Sequence, residues 1–317
     1  MRPLAVAALR QFGVEDASVS LLNHGFNSTF AVTQNNGLRF ALRLNTNSHR
    51  SVEELKGELA WVRALGSQTA LEVPAPQPTL EGGFLATIAN TFLGKDMHAV
   101  LYSWLSGPLA GDRMNPVIAN AFGGALRVLH NHAAKFKFPT GAELQPLKNS
   151  LFNRSYTLDQ NAPALDHSLF RDVYQEADLI MARVMKEPLI PIHYDLHPGN
   201  AKWLRGKLSV FDFDDSMLGR PILDFAISSF YLRNKGVETD AAMWDGAKSS
   251  PNDHGVTRQE FETLVAARGV GLANELFSMN TADLIEIAPK YAVVVEKRLE
   301  HFKKTGVFDP TVAKLSS

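Results

Sequence analysis

The stretch that most restricts how this chain can fold runs from residue 193 to residue 215. It opens with the polar loop His193-Tyr194-Asp195-Leu196-His197-Pro198-Gly199-Asn200 and closes with Val210-Phe211-Asp212-Phe213-Asp214-Asp215. Between them, Ala201 to Leu204 and Lys207 to Phe213 read as strands, with Arg205-Gly206 as the tight turn. If Leu204 faces Lys207, then Asn200 lies opposite Phe211 and Asp212 opposite Gly199. Asn200 and Asp212 become diagonal neighbours across the hairpin, near enough to share a metal ion.

Asp and Asn are common turn formers, and each of these residues taken alone reads as a strand-end cap. Taken together, in this order and spacing, they predict phosphoryl transfer. Asp195 would accept or orient the proton of an attacking hydroxyl, and Asn200 and Asp212 would hold the metal that neutralises a triphosphate. Hard oxygen ligands without cysteine suit Mg2+ rather than zinc. His193 and His197 read as structural loop residues, because a histidine metal site wants a third ligand and supporting partners.

His193–Asn200 and Phe211–Asp215 resemble the signature of the aminoglycoside phosphotransferase and choline kinase superfamily. The Asp212-Phe213-Asp214-Asp215 variant is similar to the branch that contains homoserine kinase type II. That superfamily usually has Gly as the second residue of the loop, where this chain has Tyr194. The resemblance implies an α+β, bilobal, protein-kinase-like fold. The small N-terminal lobe would hold an antiparallel sheet and one main helix, and the larger C-terminal lobe would be mostly helical. It also implies ATP as phosphate donor, Mg2+ as cofactor and a small hydroxylated acceptor.

Composition narrows the alternatives. The 317 residues suffice for two lobes, and none of them is cysteine, which excludes disulfides, thiolate zinc sites and a Cys nucleophile. A net charge of −1 gives no electrostatic case for a nucleic-acid or membrane partner. No apolar run approaches a membrane span and no signal pattern opens the chain, so a cytoplasmic protein is expected.

In chain order, Pro3 to Phe12 reads as a helix. Val19 to Leu22 and Thr29 to Thr33 read as strands around the loop Asn23-His24-Gly25-Phe26-Asn27-Ser28. The resemblance implies that this loop, with Asn27 and Ser28, covers the nucleotide phosphates. After the turn Asn35-Asn36-Gly37, a strand from Leu38 to Leu44 puts Leu38, Phe40, Leu42 and Leu44 on one face and Arg39, Ala41 and Arg43 on the other. By the same resemblance Ala41 and Arg43 face ATP, with Arg43 in place of the usual Lys; the alternative is a solvated arginine at the strand edge. Ser51 to Leu65 reads as a helix with a Ser51/Glu54 capping box and a buried stripe of Val52, Leu55, Leu59 and Val62. Glu58 lies nearest that stripe and is the best partner for Arg43; the alternative is a solvated helix charge.

Strand-like runs follow at Phe84 to Ile88 and Ala99 to Leu101. The segment Leu101–Gly107 looks like the family's interlobe hinge, where backbone groups of Ser103 and Leu105 would bond adenine; the alternative is a strand end and turn with aromatic core residues. The lobes are therefore expected to span 1–103 and 104–317. Beyond the hinge, helices are expected from Asn115 to about Ala134, Leu169 to Met185, Asp224 onward, Glu260 to Ala267 and Thr281 to Lys304. The residues from Gly141 to Ala164 read as irregular. By the resemblance, Asp224 accepts backbone hydrogen bonds from the catalytic loop.

The reading that follows is an ATP-dependent phosphotransferase acting on a small hydroxylated metabolite: an amino alcohol, or a homoserine-like or aminoglycoside-like compound. A Ser/Thr protein kinase of the same fold is the alternative, although only Ser216 to Pro221 separates Asp215 from the next helix, too little for a long activation segment. A nucleotide-binding pseudoenzyme is a third reading, which the presence of Asp195, Asn200 and Asp212 does nothing to motivate.

Overall fold

The structure is a computed structural model and describes residues 1–25, 27–46, 50–90, 95–278 and 282–315. Phe26 of the expected phosphate loop and Thr281 of the expected last helix lie outside the described residues. The chain divides into two compact units. One comprises Met1–Gly107 with Phe136–Leu144 and Ser209–Asp214; the other comprises Pro108–Lys135, Gln145–Leu208 and Asp215–Ser317.

The first unit opens with helix α1 (Arg2–Gln11), which has Pro3 in its first turn, where a missing N–H costs nothing. Strands β1 (Ala17–His24), β2 (Ser28–Gln34) and β3 (Arg39–Leu44) follow, then helix α2 (Val52–Gln68), β4 (Ala86–Asn90) and β5 (Lys95–Ser103). The strands form one antiparallel sheet in the order β1-β2-β3-β5-β4. Strand alternation sorts its two faces. Phe30, Val32, Leu42, Leu44, Ile88 and Leu101 pack with Ala5, Ala8 and Leu9 of α1, while Val100, Tyr102 and Ala41 meet Leu59 of α2. The capping box that starts α2 is formed, with Glu54 N–H on Ser51 Oγ at 3.2 Å and Ser51 N–H on Glu54 Oε2 at 2.9 Å. Leu38 does not belong to the apolar face as expected. It completes the preceding turn, its N–H on Asn36 Oδ1 and its carbonyl on Gln34 N–H, and its side chain is 55% exposed.

The second unit is mostly helical. Helix α3 (Pro116–Ala133) is capped by Asn115, whose Oδ1 accepts from Val117 and Ile118. The stretch read as irregular holds one short helix, α4 (Leu158–Asn161). Helix α5 (His167–Val184) begins two positions before Leu169 because Asp166 caps it. Next come β6 (Ile190–Ile192), the hairpin strands β7 (Ala201–Leu204) and β8 (Lys207–Val210), and β9 (Met217–Gly219), which pairs with β6. Helices α6 (Pro221–Leu232), α7 (Val237–Ala247), α8 (Arg258–Leu276) and α9 (Ala282–Thr305) complete the chain.

Further departures from the sequence reading have physical reasons. The hairpin ladder stops at Val210, because Asp212 has left-handed backbone (φ 66) and cannot continue a strand, so the pairing proposed for Asp212 is not made. Helix α7 was not foreseen. Its Gly246 and the Gly123 of α3 let two backbones approach so closely that a Cβ on either glycine would fall within 2 Å of a carbonyl oxygen of the other helix (1.9 and 1.8 Å). Helix α8 runs well past Ala267, since Gly269 and Gly271 are packing positions rather than stops; a Cβ at Gly271 would meet the Phe152 ring at 2.8 Å.

Candidate active site

The loop before β7 is held from behind by one buried carboxylate. Asp224, in the first turn of α6 and fully buried, accepts the Tyr194 N–H at 2.7 Å, the His193 N–H at 3.1 Å and His130 Nε2 at 2.8 Å. Ser228 Oγ, one turn further along α6, donates to Leu196 O at 2.8 Å. Pro198–Asn200 forms a single 3-10 turn capped by His197, whose Nδ1 accepts from Gly199 N–H at 3.0 Å. Tyr194 has φ 61, a conformation that disfavours bulky side chains and explains why glycine is the usual residue of similar loops. Its ring is compensated by burial against Phe152, at 5.5 Å between centroids.

This frame fixes Asp195. Asn200 Nδ2 donates to Asp195 O at 3.0 Å and to Asp195 Oδ2 at 2.8 Å. Arg268 of α8 meets the other carboxylate oxygen, Oδ1, at 2.5 Å, and His197 Nε2 lies 3.5 Å from Oδ2. Burial disfavours the Asp195 charge, but His197, Arg268 and His193 outweigh it and hold the carboxyl below its ordinary range. The side chain remains 18% exposed. Asp195 is thus an ionised, oriented carboxylate, the form that can take a proton. Because both amide contacts of Asn200 go to Asp195, its Oδ1 is left as a hard oxygen donor.

In the first unit, Arg43 and Glu58 form a buried ion pair at 2.8 Å. Glu58 also accepts from Tyr102 Oη at 2.8 Å and lies 3.5 Å from Arg50. Burial works against the Arg43 charge, and the neighbouring Glu58 outweighs it, holding the guanidinium well above its usual range. Ala41 shares this face of β3 with Arg43. Asn27 donates to Asp214 Oδ2 and accepts from Asn45 at 3.3 Å, whereas Ser28 is fully buried with its hydroxyl 2.8 Å from His24 Nδ1. The Ser103 N–H is spent on Ala75 O at 2.8 Å, so only the Ser103 carbonyl can serve a base. Leu105 is buried. Asp212 is an exposed carboxylate on left-handed backbone (φ 66), a conformation that Asp adopts more readily than most residues. Among the described residues no group of three His, Cys, Asp or Glu forms a metal cage.

Sequence reasoning missed Arg268, Tyr231, Tyr102, Arg50 and the Asn27–Asp214 contact. For Arg268 a signal existed: it is the only charged residue in the run Leu264–Ala273, and such an arginine is buried and paired.

Comparison with known proteins gives this geometry a family. A model of the phosphotransferase enzyme family matches residues 18–258. Amicoumacin kinase of Bacillus subtilis (strain 168) is 25% identical over 220 residues, 67% of this chain and 62% of that protein, so the chain matches less than two thirds of this relative's length. Among solved structures, a microcompartment-associated aminopropanol kinase shares the fold at a TM-score of 0.75, with 19% identity over 98% of this chain and 100% of that one. An amicoumacin kinase in complex with AMP-PNP, Ca2+ and Ami gives a TM-score of 0.70, with 19% identity over 92% and 91% of the two chains. The α+β, protein-kinase-like fold implied by the sequence resemblance is the fold these structures share. With the family model covering most of its length, the chain belongs to the phosphotransferase enzyme family.

Proposed function

We propose that this protein is an ATP-dependent phosphotransferase that moves the γ-phosphate to a hydroxyl of a small metabolite. The observation that carries the reading is Asp195. Its carboxylate is fixed by Asn200 and Arg268, kept ionised, and left partly open. Asp195 would take the hydroxyl proton as the acceptor oxygen bonds to the γ-phosphorus. The β–γ bridging bond breaks and its electron pair leaves with ADP. Arg43, oriented by Glu58, would bind phosphate oxygens, with Asn27 on the loop beside them; Ser28, the first residue of β2, has its hydroxyl buried on His24 and would contribute only through its backbone. Ala41, the Ser103 carbonyl and Leu105 would meet the adenosine. Asn200 Oδ1 and Asp212 would hold Mg2+, which when bound supplies charge neutralisation at the phosphates. Two oxygen donors with no protein cage suit an ion that keeps several waters and phosphate oxygens as ligands.

The small-molecule reading is favoured over a protein kinase by β9. Residues Met217–Gly219 pair with β6, so the short segment after Asp215 is spent on structure rather than on receiving a peptide. The names of similar proteins point the same way: amicoumacin kinase, aminopropanol kinase and spectinomycin phosphotransferase. A panel of amino alcohols, hydroxy acids, sugars and aminoglycosides, assayed for acceptor-dependent ATP consumption with Mg2+, tests the proposal. At least one small acceptor should raise consumption well above the background, and a protein substrate phosphorylated in preference to all of them would overturn it.

A further inference from the structure

Two arginines of the second unit are equally buried and differently used. Arg233 spends every guanidinium nitrogen: Nε on Asp240 at 2.9 Å, Nη1 on Glu262 at 2.6 Å and on Phe308 O at 3.0 Å, and Nη2 on Glu262 at 2.9 Å. It is a structural cation, satisfied on all sides. Arg268, also about nine-tenths buried or more (6% exposed), spends only Nη2, on Asp195 Oδ1 at 2.5 Å and Tyr231 Oη at 3.4 Å. Its Nε and Nη1 have no hydrogen-bond partner. A buried guanidinium with unspent N–H groups is costly, and this one stands against the residue read as the catalytic base.

Arg268 also stands where an acceptor must go. Asn200 takes Asp195 Oδ2, so Oδ1 is the oxygen left for a hydroxyl, and Arg268 is already on it. An acceptor that offers only a hydroxyl gives the guanidinium nothing in return, and one with an ammonium group brings like charge against it. An acceptor with an anionic group offers the exchange: the anion takes the Arg268 fork while the hydroxyl takes Oδ1. We propose, on the reading of Asp195 as base, that Arg268 receives a carboxylate of the acceptor, so that the substrates of this site are short hydroxy acids. The hydroxyl and the carboxylate meet two side chains that touch each other, which restricts the acceptor to a small molecule. Phe152, whose ring lies 4.4 Å from the guanidinium, and Tyr231 at 5.7 Å give the fork a flat aromatic support. A cavity of about 30 Å³ lies beside Arg268, lined by Ser150, Tyr194 and apolar side chains of α5, α6 and α8.

The test uses acceptors matched except for the carboxylate: L-serine against ethanolamine, and 4-hydroxybutyrate against 1-propanol. Both ATP-dependent phosphorylation and calorimetric binding are measured on the full chain. The acid of each pair should be favoured by about tenfold or more, the worth of one charge-assisted contact. Arg268→Gln should abolish that preference, chiefly through the KM for the acid, with the KM for ATP little changed. Arg268→Lys should restore part of it, keeping the charge without the fork. Wild-type preference for the uncharged or aminated partner, or equal losses for acid and alcohol in Arg268→Gln, would overturn the proposal. If Arg268→Gln does not fold, the wild-type pairs decide alone. If none of the four is phosphorylated, the calorimetric difference within each pair decides the anion site, and the wider acceptor panel separately decides the phosphotransferase reading.

Discussion

Glu58 and Arg43 form one ion pair, yet removing one should cost far more than removing the other. Glu58 has three partners, Arg43, Tyr102 and Arg50, and no exposed surface. Glu58→Ala therefore strands the Arg43 guanidinium on β3, 5% exposed, with the carboxylate it was built against gone. Stranding a buried charge costs about 3–5 kcal/mol. Arg43→Ala removes one charge-assisted contact but leaves Glu58 with Tyr102 Oη at 2.8 Å and Arg50 at 3.5 Å, so about 1.5–3 kcal/mol is expected. Urea unfolding of the two variants and the wild type, followed by tryptophan fluorescence, checks the ordering. Trp61 is fully buried in α2 and packs edge-on to Phe213, so it reports on this unit. Arg43→Ala destabilising as much as Glu58→Ala would refute the reasoning, because it would mean that Tyr102 and Arg50 do not hold the carboxylate.

Other expectations follow from the same geometry. If Arg43 binds the phosphates as proposed, Arg43→Ala should raise the KM for ATP by about tenfold or more, and Arg43→Lys should be only partly tolerated; a kinetically silent Arg43→Ala would remove this residue from the proposed nucleotide site. Asp212→Ala should weaken binding of ATP with Mg2+ in calorimetry, and unchanged affinity with unchanged Mg2+ dependence would end the metal assignment. His254, half-buried against Phe225 and Trp244, has its pKa lowered to about 4 by burial and by the nearby His130. Between about pH 6.5 and that value the unfolded chain binds the extra proton, so stability should fall as pH drops through this window. His254→Gln should flatten the fall, and an identical pH–stability curve would count against it.

The parts of the fold legible in the sequence were those with local causes. Capping at Ser51 and Asn115, the alternation of Leu42 and Leu44 against Ala41 and Arg43, and the Arg205-Gly206 turn (φ 50 and 81) are settled by neighbouring residues. The α7 helix and the long α8 were hidden because glycine reads as a breaker, while its role at Gly123, Gly246 and Gly271 is close approach to elements distant in sequence. The site divides in the same way. Asp195, Asn200 and Asp212 announce themselves by spacing. Arg268 reaches Asp195 from 73 positions away, and nothing local at either end says so. Only its isolation in an uncharged run marked it as unusual.

The most direct test of the account is phosphate transfer by Asp195→Asn, measured in single turnovers with radiolabelled ATP and whichever acceptor the screen identifies. The change keeps the size of the side chain and removes the carboxylate proposed to take the proton. With a circular-dichroism spectrum and an ATP affinity like the wild type, the variant should transfer phosphate about 10²–10⁴-fold more slowly. A folded, nucleotide-binding Asp195→Asn that transfers phosphate at the wild-type rate would contradict the assignment of the base, and with it the mechanism built around this loop.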